Sequence, residues 1–465
     1  MSPRACAGHL VAACALGLAA ACSGESAAPL PSPIITSSTV AAVPHNVLAG
    51  RVSAIVQDAE SVAVRFGVTG SSLDSVTPAT VTPTDTLELP LLGLLPSTAY
   101  RLQVVAWAHG ESAEGDTLSF STGALPADLP AFSAGGANPL PGFVAFSVGS
   151  YGIVIDNGGR VVWYRALPGG PSLNFQPQPT GHYFTSPTNA PPGELRAWVE
   201  FDVLGDVVRS FGCADGLRSR FHDILVEPDG GYWILCDDTR MMDLSAIGGV
   251  ASAQVTGSVV QHLASDGSVR FRWSAFDHFA LTDLDAAFRS GSPVNFTHAN
   301  AFDFDGAGHV LVSFRSLNEI TSIDTATGSV AWRLGGRANQ FTFDEAGDPF
   351  ARQHGLRVDG AGRLVLLDNL GQQDGSRVER FSLGAARTAS RTAAVAGSPP
   401  VTALLGGAVQ QLAQGRVLVA YGNGDRVQEY DAAGSVAWEI HGDPGYVYRA
   451  TRIASLYHPG RGLIR

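Results

Sequence analysis

Three histidines occupy the same position in three copies of one repeated phrase. Each copy has a histidine, a glycine eight residues later and then an apolar strand pattern, and the copies begin at His222, His298 and His354. Homologous positions in a repeat lie at equivalent points of successive structural units, so the three imidazoles are expected to converge. A lone histidine is usually a packed or surface residue, but three in one register predict a functional site.

Three converging imidazoles support two kinds of chemistry. As nitrogen ligands with an open position they could hold zinc or non-haem iron. As a nucleophile beside an acid and a base, they could attack an electrophile and move a proton to or from an oxygen. Arg315 follows the second strand of the middle copy and is expected near the same point. A guanidinium binds oxyanions, repels metal cations and holds neighbouring imidazoles neutral, which favours the second chemistry.

The composition excludes several classes of function. The chain has 465 residues, a net charge of −12 and no lysine, since all 30 basic residues are arginine. Without an amine, Schiff-base chemistry and a Walker-A phosphate loop are excluded. An acidic chain without basic runs does not predict nucleic-acid binding. The 54 glycines indicate many tight turns and hence many short strands.

The N-terminus predicts export. Arg4 precedes an apolar stretch over residues 10–21, which is too short to span a membrane. Small residues directly before Cys22 resemble a bacterial lipoprotein signal, which implies cleavage after residue 21, lipidation of Cys22 and a tether over residues 22–32. The alternative is an ordinary secretory signal with an incidental cysteine. The predicted location is the cell envelope, at the periplasmic or outer-membrane face, with a lipid anchor as the contact to the membrane.

Two cysteines remain after the signal peptide. Cys213 and Cys236 could form one disulfide in an exported chain, or remain a buried free pair. The spacing does not decide between these alternatives.

Residues 33–125 predict a small β-domain. Within it, residues 94–106 contain an L-x-P-x-T-x-Y run followed by an alternating strand pattern. This run resembles the tyrosine corner of a fibronectin type III-like sandwich. Such a domain could be a spacer or a dimerisation surface, which leaves a homodimer possible. Residues 126–142, rich in proline, glycine and alanine, predict a linker.

Residues 143–465 contain a recurring phrase, a glycine turn followed by β-branched residues and often an aromatic residue. It starts at positions 158, 205, 267, 328 and 434, with a degenerate copy at 375. Six all-β units of about 54 residues are typical of a propeller. The predicted fold class is therefore all-β, a six-bladed β-propeller after the small sandwich, with seven blades as the fallback.

Several segments, taken in order, resemble the bacterial arylsulfate sulfotransferase family. The matching segments are Ile155 to Tyr164, His222-Asp223, His298-Ala299-Asn300, Ser313-Phe314-Arg315, Trp332-Arg333-Leu334-Gly335-Gly336, Gln353-His354-Gly355 and Leu367-Asp368-Asn369. The resemblance covers residues 143–465. It implies an exported six-bladed propeller that moves a sulfuryl group from a phenolic sulfate ester to another phenol, without a nucleotide donor. The implied mechanism is ping-pong, through a sulfurylated histidine.

The resemblance also assigns roles to the candidate residues. His354 would be the nucleophile, while His222 and His298 would stabilise charge and shuttle the phenolic proton. Arg315 would bind the sulfuryl oxygens as charge shifts in the transition state, and Asn300 would be a further donor to an oxygen. The expected partners are a phenolic sulfate donor and a phenol acceptor, with no cofactor and no metal.

Two other functions remain open on sequence grounds. A metal-dependent propeller enzyme would hold zinc or iron on the three histidines, and a non-catalytic exported module would bind a ligand without turnover, because propellers host many functions. Asp223 follows His222 directly and should point away from it in a strand, so a structural role is expected.

Overall fold

The computed structural model describes residues 30–82, 85–188, 197–344, 349–372 and 374–462. The predicted signal peptide over residues 1–21 and the lipidation site Cys22 lie outside these ranges, as does most of the tether. The described residues form two units in which nearly all the regular secondary structure is strand. None of the described helices is long and apolar enough to cross a membrane.

The first unit is a sandwich of two antiparallel sheets with a shared apolar core. One sheet has the order β1-β2-β6, and the other places β3 between β7 and the short strands β4 and β5, with β8 outside β7. Alternate residues of these strands face inward, as expected for sheets with one solvated face. The strands are β1 (Ile34–Ala42), β2 (Gly50–Gln57), β3 (Ser61–Val68), β4 (Ser75–Val76), β5 (Thr80–Val81), β6 (Thr86–Leu91), β7 (Ala99–Ala108) and β8 (Glu111–Ser121).

The predicted tyrosine corner has a matching contact. The backbone N–H of Leu95 donates to the hydroxyl of Tyr100 at 2.8 Å, and Tyr100 is buried at the start of β7. This bond fixes the turn into β7, as a tyrosine corner does. The assignment to the fibronectin type III class stays a prediction.

The second unit begins with β9 and ends with β35. Its strands are β9 (Ser133–Gly135), β10 (Phe143–Val148), β11 (Tyr151–Ile155), β12 (Val161–Ala166), β13 (Ser172–Pro177), β14 (Tyr183–Pro187), β15 (Trp198–Phe201), β16 (Val207–Phe211), β17 (Arg218–Val226), β18 (Tyr232–Met242), β19 (Ala253–Leu263), β20 (Val269–Ser274), β21 (Val294–Asn295), β22 (Ala299–Phe304), β23 (His309–Phe314), β24 (Glu319–Asp324), β25 (Val330–Gly335), β26 (Thr342–Phe343), β27 (His354–Val358), β28 (Leu364–Asp368), β29 (Arg377–Leu383), β30 (Thr388–Ala396), β31 (Ala408–Gln411), β32 (Val417–Ala420), β33 (Val427–Tyr430), β34 (Val436–His441) and β35 (Ala450–Ile453). Its helices are α1 (Ala275–His278) and the 3-10 turns Ser245–Ile247, Leu281–Asp283, Ala286–Phe288, Arg315–Leu317 and Ala413–Gly415.

These strands form a β-propeller. The described residues of the second unit form six antiparallel sheets, which contain β35-β10-β11-β12, β13 to β16, β17 to β20, β22 to β25, β27 to β30 and β31 to β34. Short parallel strands β21 and β26 extend two of them. One strand of each sheet, the inner strand, contacts the inner strand of the next sheet. In ring order the inner strands are β35, β13, β17, β22, β27 and β31, and β31 contacts β35, so they surround one axis.

The ring is closed by both ends of the second unit. Strand β35, near the C-terminus, pairs with β10 and completes the sheet that residues 143–166 begin. Strand β9 pairs with the outer strand β34. The segment 126–142, predicted as a linker, therefore contributes a strand to the propeller.

The recurring glycine phrase marks outer strands in five of its six copies. The turns at 158, 205, 267, 328 and 434 lead into β12, β16, β20, β25 and β34. The degenerate copy at 375 leads instead into β29, the third strand of its sheet, and the outer strand β30 follows a turn at 384–387. The alternation of apolar residues is similar in both strands, so the pattern alone does not separate them.

The two units share an apolar interface. Residues Val43, Ala49 and Leu92 of the sandwich belong to one buried cluster with Trp163 and other propeller residues. The backbone N–H of Leu92 also donates to the hydroxyl of Tyr457 at 3.3 Å. The sandwich thus packs against the propeller through apolar side chains that would otherwise be exposed to water.

Candidate active site

The inner strands bring the three predicted histidines together at one end of the axis. His222 lies in β17, His298 directly precedes β22, and His354 is the first residue of β27. The ring centroids of His222 and His298 are 5.0 Å apart, and those of His222 and His354 are 6.4 Å apart. His222 and His354 are buried, whereas His298 keeps part of its surface accessible.

The backbone around these histidines is specialised. His298 has a φ of 54°, in the left-handed region. This conformation is strained for a residue other than glycine, and such strain is common at functional sites. Gly355 follows His354 with a φ of 63°, and a Cβ there would meet the Cα of Ala408 at 2.8 Å. Glycine is therefore needed for β27 to lie close to β31.

Asn369 sets the tautomer of His354. The side-chain Nδ2 of Asn369 donates to the carbonyls of Ala403 and Gly406, both at 2.9 Å. Its Oδ1 must therefore face His354, where it accepts from Nδ1 at 2.9 Å. Nδ1 carries the proton, and Nε2 keeps the lone pair that a nucleophile needs.

The same surroundings keep the imidazoles neutral. Burial lowers the pKa of His354 to about 4, and the charge of Arg315 adds to this effect, whereas the hydrogen bonds to Asn369 and to the backbone of Arg352 oppose it. Burial also lowers the pKa of His298 well below its usual value, with contributions from Arg220 and Arg315. At neutral pH both rings are bases rather than cations.

A second chain of hydrogen bonds orders the protons of His222 and His298. The hydroxyl of Tyr448 donates to the carbonyl of Asn300 at 3.2 Å, so its oxygen accepts from Nδ1 of His222 at 2.9 Å. Nε2 of His222 is then the acceptor for Nε2–H of His298 at 3.1 Å. Nδ2 of Asn295 donates to Nδ1 of His298 at 2.8 Å. The chain offers a path along which a proton can move.

Arg315 lies beside this cluster, as its register predicts. It follows β23 directly, and its backbone N–H donates to the carbonyl of His298 at 3.0 Å. One guanidinium nitrogen, Nη2, donates to the carbonyl of Leu404 at 3.1 Å, and Nε is buried with no partner among the described residues. The guanidinium contacts a neutral carbonyl, so its charge is available to an anion.

Asn300 and Asp223 have positioning contacts. Nδ2 of Asn300 donates to the carbonyl of Gln353 at 2.7 Å, which holds the residue before His354. A direct bond from Asn300 to substrate stays a prediction. Asp223 is fully buried and pairs with Arg357 at 2.9 Å and with Arg449 at 3.4 Å, so it ties three inner strands together across the axis.

One match identifies the family of this chain. The family model described as Arylsulfotransferase (ASST) matches residues 214–443, about half of the chain. The chain belongs to the arylsulfotransferase family. The matched range contains the three histidines and Arg315, and membership implies aryl sulfotransferase activity.

Solved structures with a similar fold have low identity to this arylsulfotransferase. A streptogramin B lyase has 12% identity over 69% of this chain and 86% of its own, with a TM-score of 0.39. The Cps50 (Swd1) β-propeller domain from Myceliophteria thermophila has 11% identity over 69% of this chain and 86% of its own, with a TM-score of 0.37. A chain of a nidogen/laminin complex has 13% identity over 67% of this chain and 98% of its own, with a TM-score of 0.42. These likenesses concern the fold alone. None of the curated proteins matches the sequence.

The alternative of a metal centre finds no support in the arrangement of side chains. Among the described residues, no group of three or more histidine, cysteine, aspartate or glutamate side chains is placed to hold a metal ion. The nitrogens of His222 and His298 that would face a metal contact each other instead.

Four residues around the histidines were given no role from the sequence, although one of them, Asn369, lies in a segment that resembles the family. Arg220 contacts Nε2 of His222 at 3.4 Å and pairs with Asp237; Tyr448, Asn369 and Asn295 hold the other ring nitrogens. Arg220 lies two residues before His222 in the same strand, so period-two alternation could have found it. Tyr448 lies two residues before β35, one of the inner strands.

The two cysteines among the described residues form a disulfide. Cys213, between β16 and β17, is joined to Cys236 in β18, and Cys236 precedes Asp237, the partner of Arg220. The bond closes a loop that contains the whole of β17, the strand that carries His222.

Proposed function

We propose that this arylsulfotransferase transfers a sulfuryl group from an aryl sulfate to an acceptor phenol by a ping-pong mechanism, through a sulfohistidine at His354. The observation that carries the proposal is the Asn369 contact, which leaves Nε2 of a neutral, buried imidazole as the basic nitrogen. A neutral imidazole with a fixed tautomer is a nucleophile at neutral pH.

In the first half-reaction, the Nε2 lone pair of His354 attacks the sulfur of the ester. The nitrogen–sulfur bond forms as the bond from sulfur to the phenolic oxygen breaks, and the phenolate leaves with the bonding electrons. Arg315 binds the sulfuryl oxygens and stabilises the charge that shifts toward the leaving oxygen. The phenolate takes a proton from water, or from the His298–His222 pair, which first gains that proton from solvent when the anionic ester binds beside it.

Asn369 also keeps the intermediate reactive. Its amide oxygen accepts a hydrogen bond from Nδ1–H of His354 but does not take the proton. The sulfurylated ring therefore stays cationic and can leave as neutral imidazole, whereas a neutral sulfurylated ring would have to leave as an imidazolide anion, a poorer leaving group. A carboxylate at this position would stabilise the cation instead.

In the second half-reaction, the acceptor phenol loses its proton to His298 or His222 as its oxygen attacks the sulfur. The new sulfur–oxygen bond forms, the bond to Nε2 breaks, and His354 returns to its neutral state. The proton taken from the acceptor equals the one given to the first phenolate, so the cycle has no net proton change. The bound sulfate's negative charge raises the pKa of the neighbouring rings, which makes this exchange possible.

The test uses an aryl sulfate whose phenol is coloured, an acceptor phenol and EDTA. We expect colour release that depends on the acceptor, survives EDTA and is lost in His354→Ala. His441→Ala is the matched control, because His441 is exposed at the end of β34, and it should retain activity. Activity that disappears with EDTA, or that persists in His354→Ala, would contradict the mechanism.

We further propose that the chain is exported and held at the cell envelope by a lipid on Cys22. The signal-like residues before Cys22 support this location. Expression with a labelled fatty acid should label the wild type and not Cys22→Ser, and the variant should leave the membrane fraction. Equal labelling of both proteins would overturn the anchor.

A further inference from the structure

A second arginine lies against the same aromatic ring as Arg315. Arg352 stands two residues before His354, with a φ of 58°. Its guanidinium carbon is 3.8 Å from the ring centroid of Phe288, and that of Arg315 is 5.9 Å from it. Phe288 ends a 3-10 turn in the segment that connects β20 to β22. Two cations therefore share one ring beside the candidate nucleophile.

The charges at this place do not balance. Nη2 of Arg352 donates to Asp285 at 3.0 Å, whereas its Nη1 is buried with no partner among the described residues. Arg315 has a neutral carbonyl and an unpartnered Nε, as described above. Two guanidinium groups thus have one carboxylate in hydrogen-bond contact.

Such an arrangement is costly without an anion. Burial lowers the pKa of both arginines, and the charge of Arg352 lowers that of Arg315 further. A buried donor without a partner also costs free energy. An anionic ligand that reaches both groups would remove these costs.

The two arginines have different neighbours. The backbone N–H of Arg315 donates to the carbonyl of His298 at 3.0 Å, and its charge lowers the pKa of both His298 and His354. The guanidinium of Arg352 instead donates to Asp285 at 3.0 Å. Arg315 is therefore assigned to the sulfuryl group. A sulfuryl group held at His354 would leave Arg352 for another anionic group.

We propose that Arg352, supported by Phe288 and Asp285, is a subsite for a carboxylate carried by the phenol acceptor, so that the acceptors of this arylsulfotransferase are aromatic acids rather than simple phenols. The proposal rests on the sulfuryl-transfer function. A guanidinium with a free, buried Nη1 binds a carboxylate by a charge-assisted hydrogen bond. The ring of Phe288 holds the guanidinium in place, which reduces the entropy lost on binding.

The test compares 4-hydroxybenzoate with its methyl ester, which differ in charge but have the same ring and phenol. Binding of each is measured by calorimetry without a sulfate donor, so that the result does not depend on turnover. We expect the wild type to bind the acid about tenfold more tightly than the ester. In Arg352→Gln this preference should disappear, and Arg352→Lys should retain part of it.

Arg387→Gln is the matched control. Arg387 also lies over a phenylalanine, 5.3 Å from the centroid of Phe341, but at the end of its sheet opposite His354. It should keep the wild-type preference. Equal binding of acid and ester by the wild type, or an unchanged preference in Arg352→Gln with a native circular dichroism spectrum, would overturn the subsite. If no phenol accepts a sulfuryl group, the proposed function is contradicted instead. The binding comparison remains valid in that case, because it does not depend on turnover.

Discussion

At the residue scale, the chemistry of the site depends on which ring nitrogens of the histidines carry protons, rather than on ion pairs. Asn369 directs its oxygen at His354 because its nitrogen is held by two backbone carbonyls. The carbonyl of Asn300 orders Tyr448 and thereby His222. In both cases a backbone group that can only accept determines which imidazole nitrogen keeps its lone pair.

We predict that Asn369→Asp separates the two half-reactions. A carboxylate at this position stabilises the cationic sulfurylated ring, so the nitrogen–sulfur bond becomes harder to break. We expect a rapid release of one equivalent of coloured phenol, followed by turnover that is about 10²-fold slower than in the wild type. Stopped-flow absorbance measures both phases. Equal slowing of both phases would contradict this role of Asn369.

The pH dependence follows from the buried state of the nucleophile. The pKa of free His354 is lowered to about 4, and only the neutral ring attacks. As the pH falls from 8, kcat/KM should stay level through 6.5 and decline only as the pH approaches 4. The measurement is kcat/KM for an aryl sulfate against pH, with tryptophan fluorescence to check folding. A decline centred near 6.5 would show that the nucleophile is solvated.

The sequence identifies the residues that the repeat makes visible. His222, His298 and His354 share a register, and Arg315 follows from it, so all four could be named in advance. Asn369 and Arg352 could not be placed in the same way, because their contacts depend on a connecting segment, residues 403–406, and on Phe288. These segments follow no repeat, and their positions are set by tertiary packing.

At the scale of elements, strand patterns are more informative than connections. Five glycine phrases mark outer strands correctly, whereas the phrase at 375 marks β29, the third strand of its sheet counted from the axis. Strand β9 lies in a segment whose proline and glycine content predicts a linker, because three paired residues are too few to show a period. The composition of residues 126–142 cannot show that β9 pairs with β34, which lies far away in the sequence.

The disulfide gives a prediction at this scale. The Cys213–Cys236 bond joins positions with a sequence separation of 23, and the loop it closes contains β17 and the first residues of β18. Restricting such a loop in the unfolded chain stabilises the folded state by about 3 kcal/mol. A Cys213→Ser/Cys236→Ser variant should unfold at a lower urea concentration than the oxidised wild type. Reduced wild type should match the variant, and identical midpoints for all three proteins would contradict the bond.

At the scale of the whole molecule, the sandwich and the propeller form one packed body. The sequence predicts both units and their order, but not their interface, because the apolar side chains involved also suit a domain core. Leu48 shows this ambiguity, since it is fully buried in a cluster with propeller residues such as Val144 and Trp438. The interface is visible only when both folds are in place.

Leu48→Ala should therefore weaken the propeller as well as the sandwich. Loss of a buried leucine costs about 2–5 kcal/mol, and here the cavity would lie between the units. We expect a lower melting temperature in calorimetry, with aryl sulfate turnover retained at low temperature. As a control, Leu95→Ala changes a leucine that is 41% exposed and should have little effect. An unchanged melting temperature for Leu48→Ala would mean that the interface is not formed.

The central claim is that His354 carries the sulfuryl group during the reaction. The most direct measurement is to mix the protein with an aryl sulfate without acceptor, quench, digest and analyse the peptides by mass spectrometry under conditions that preserve nitrogen–sulfur bonds. The account predicts one added SO3 group, on the peptide with His354, which disappears when a phenol is added before the quench. An unmodified His354 peptide after a full equivalent of phenol has been released, or an SO3 group on another residue, would contradict it.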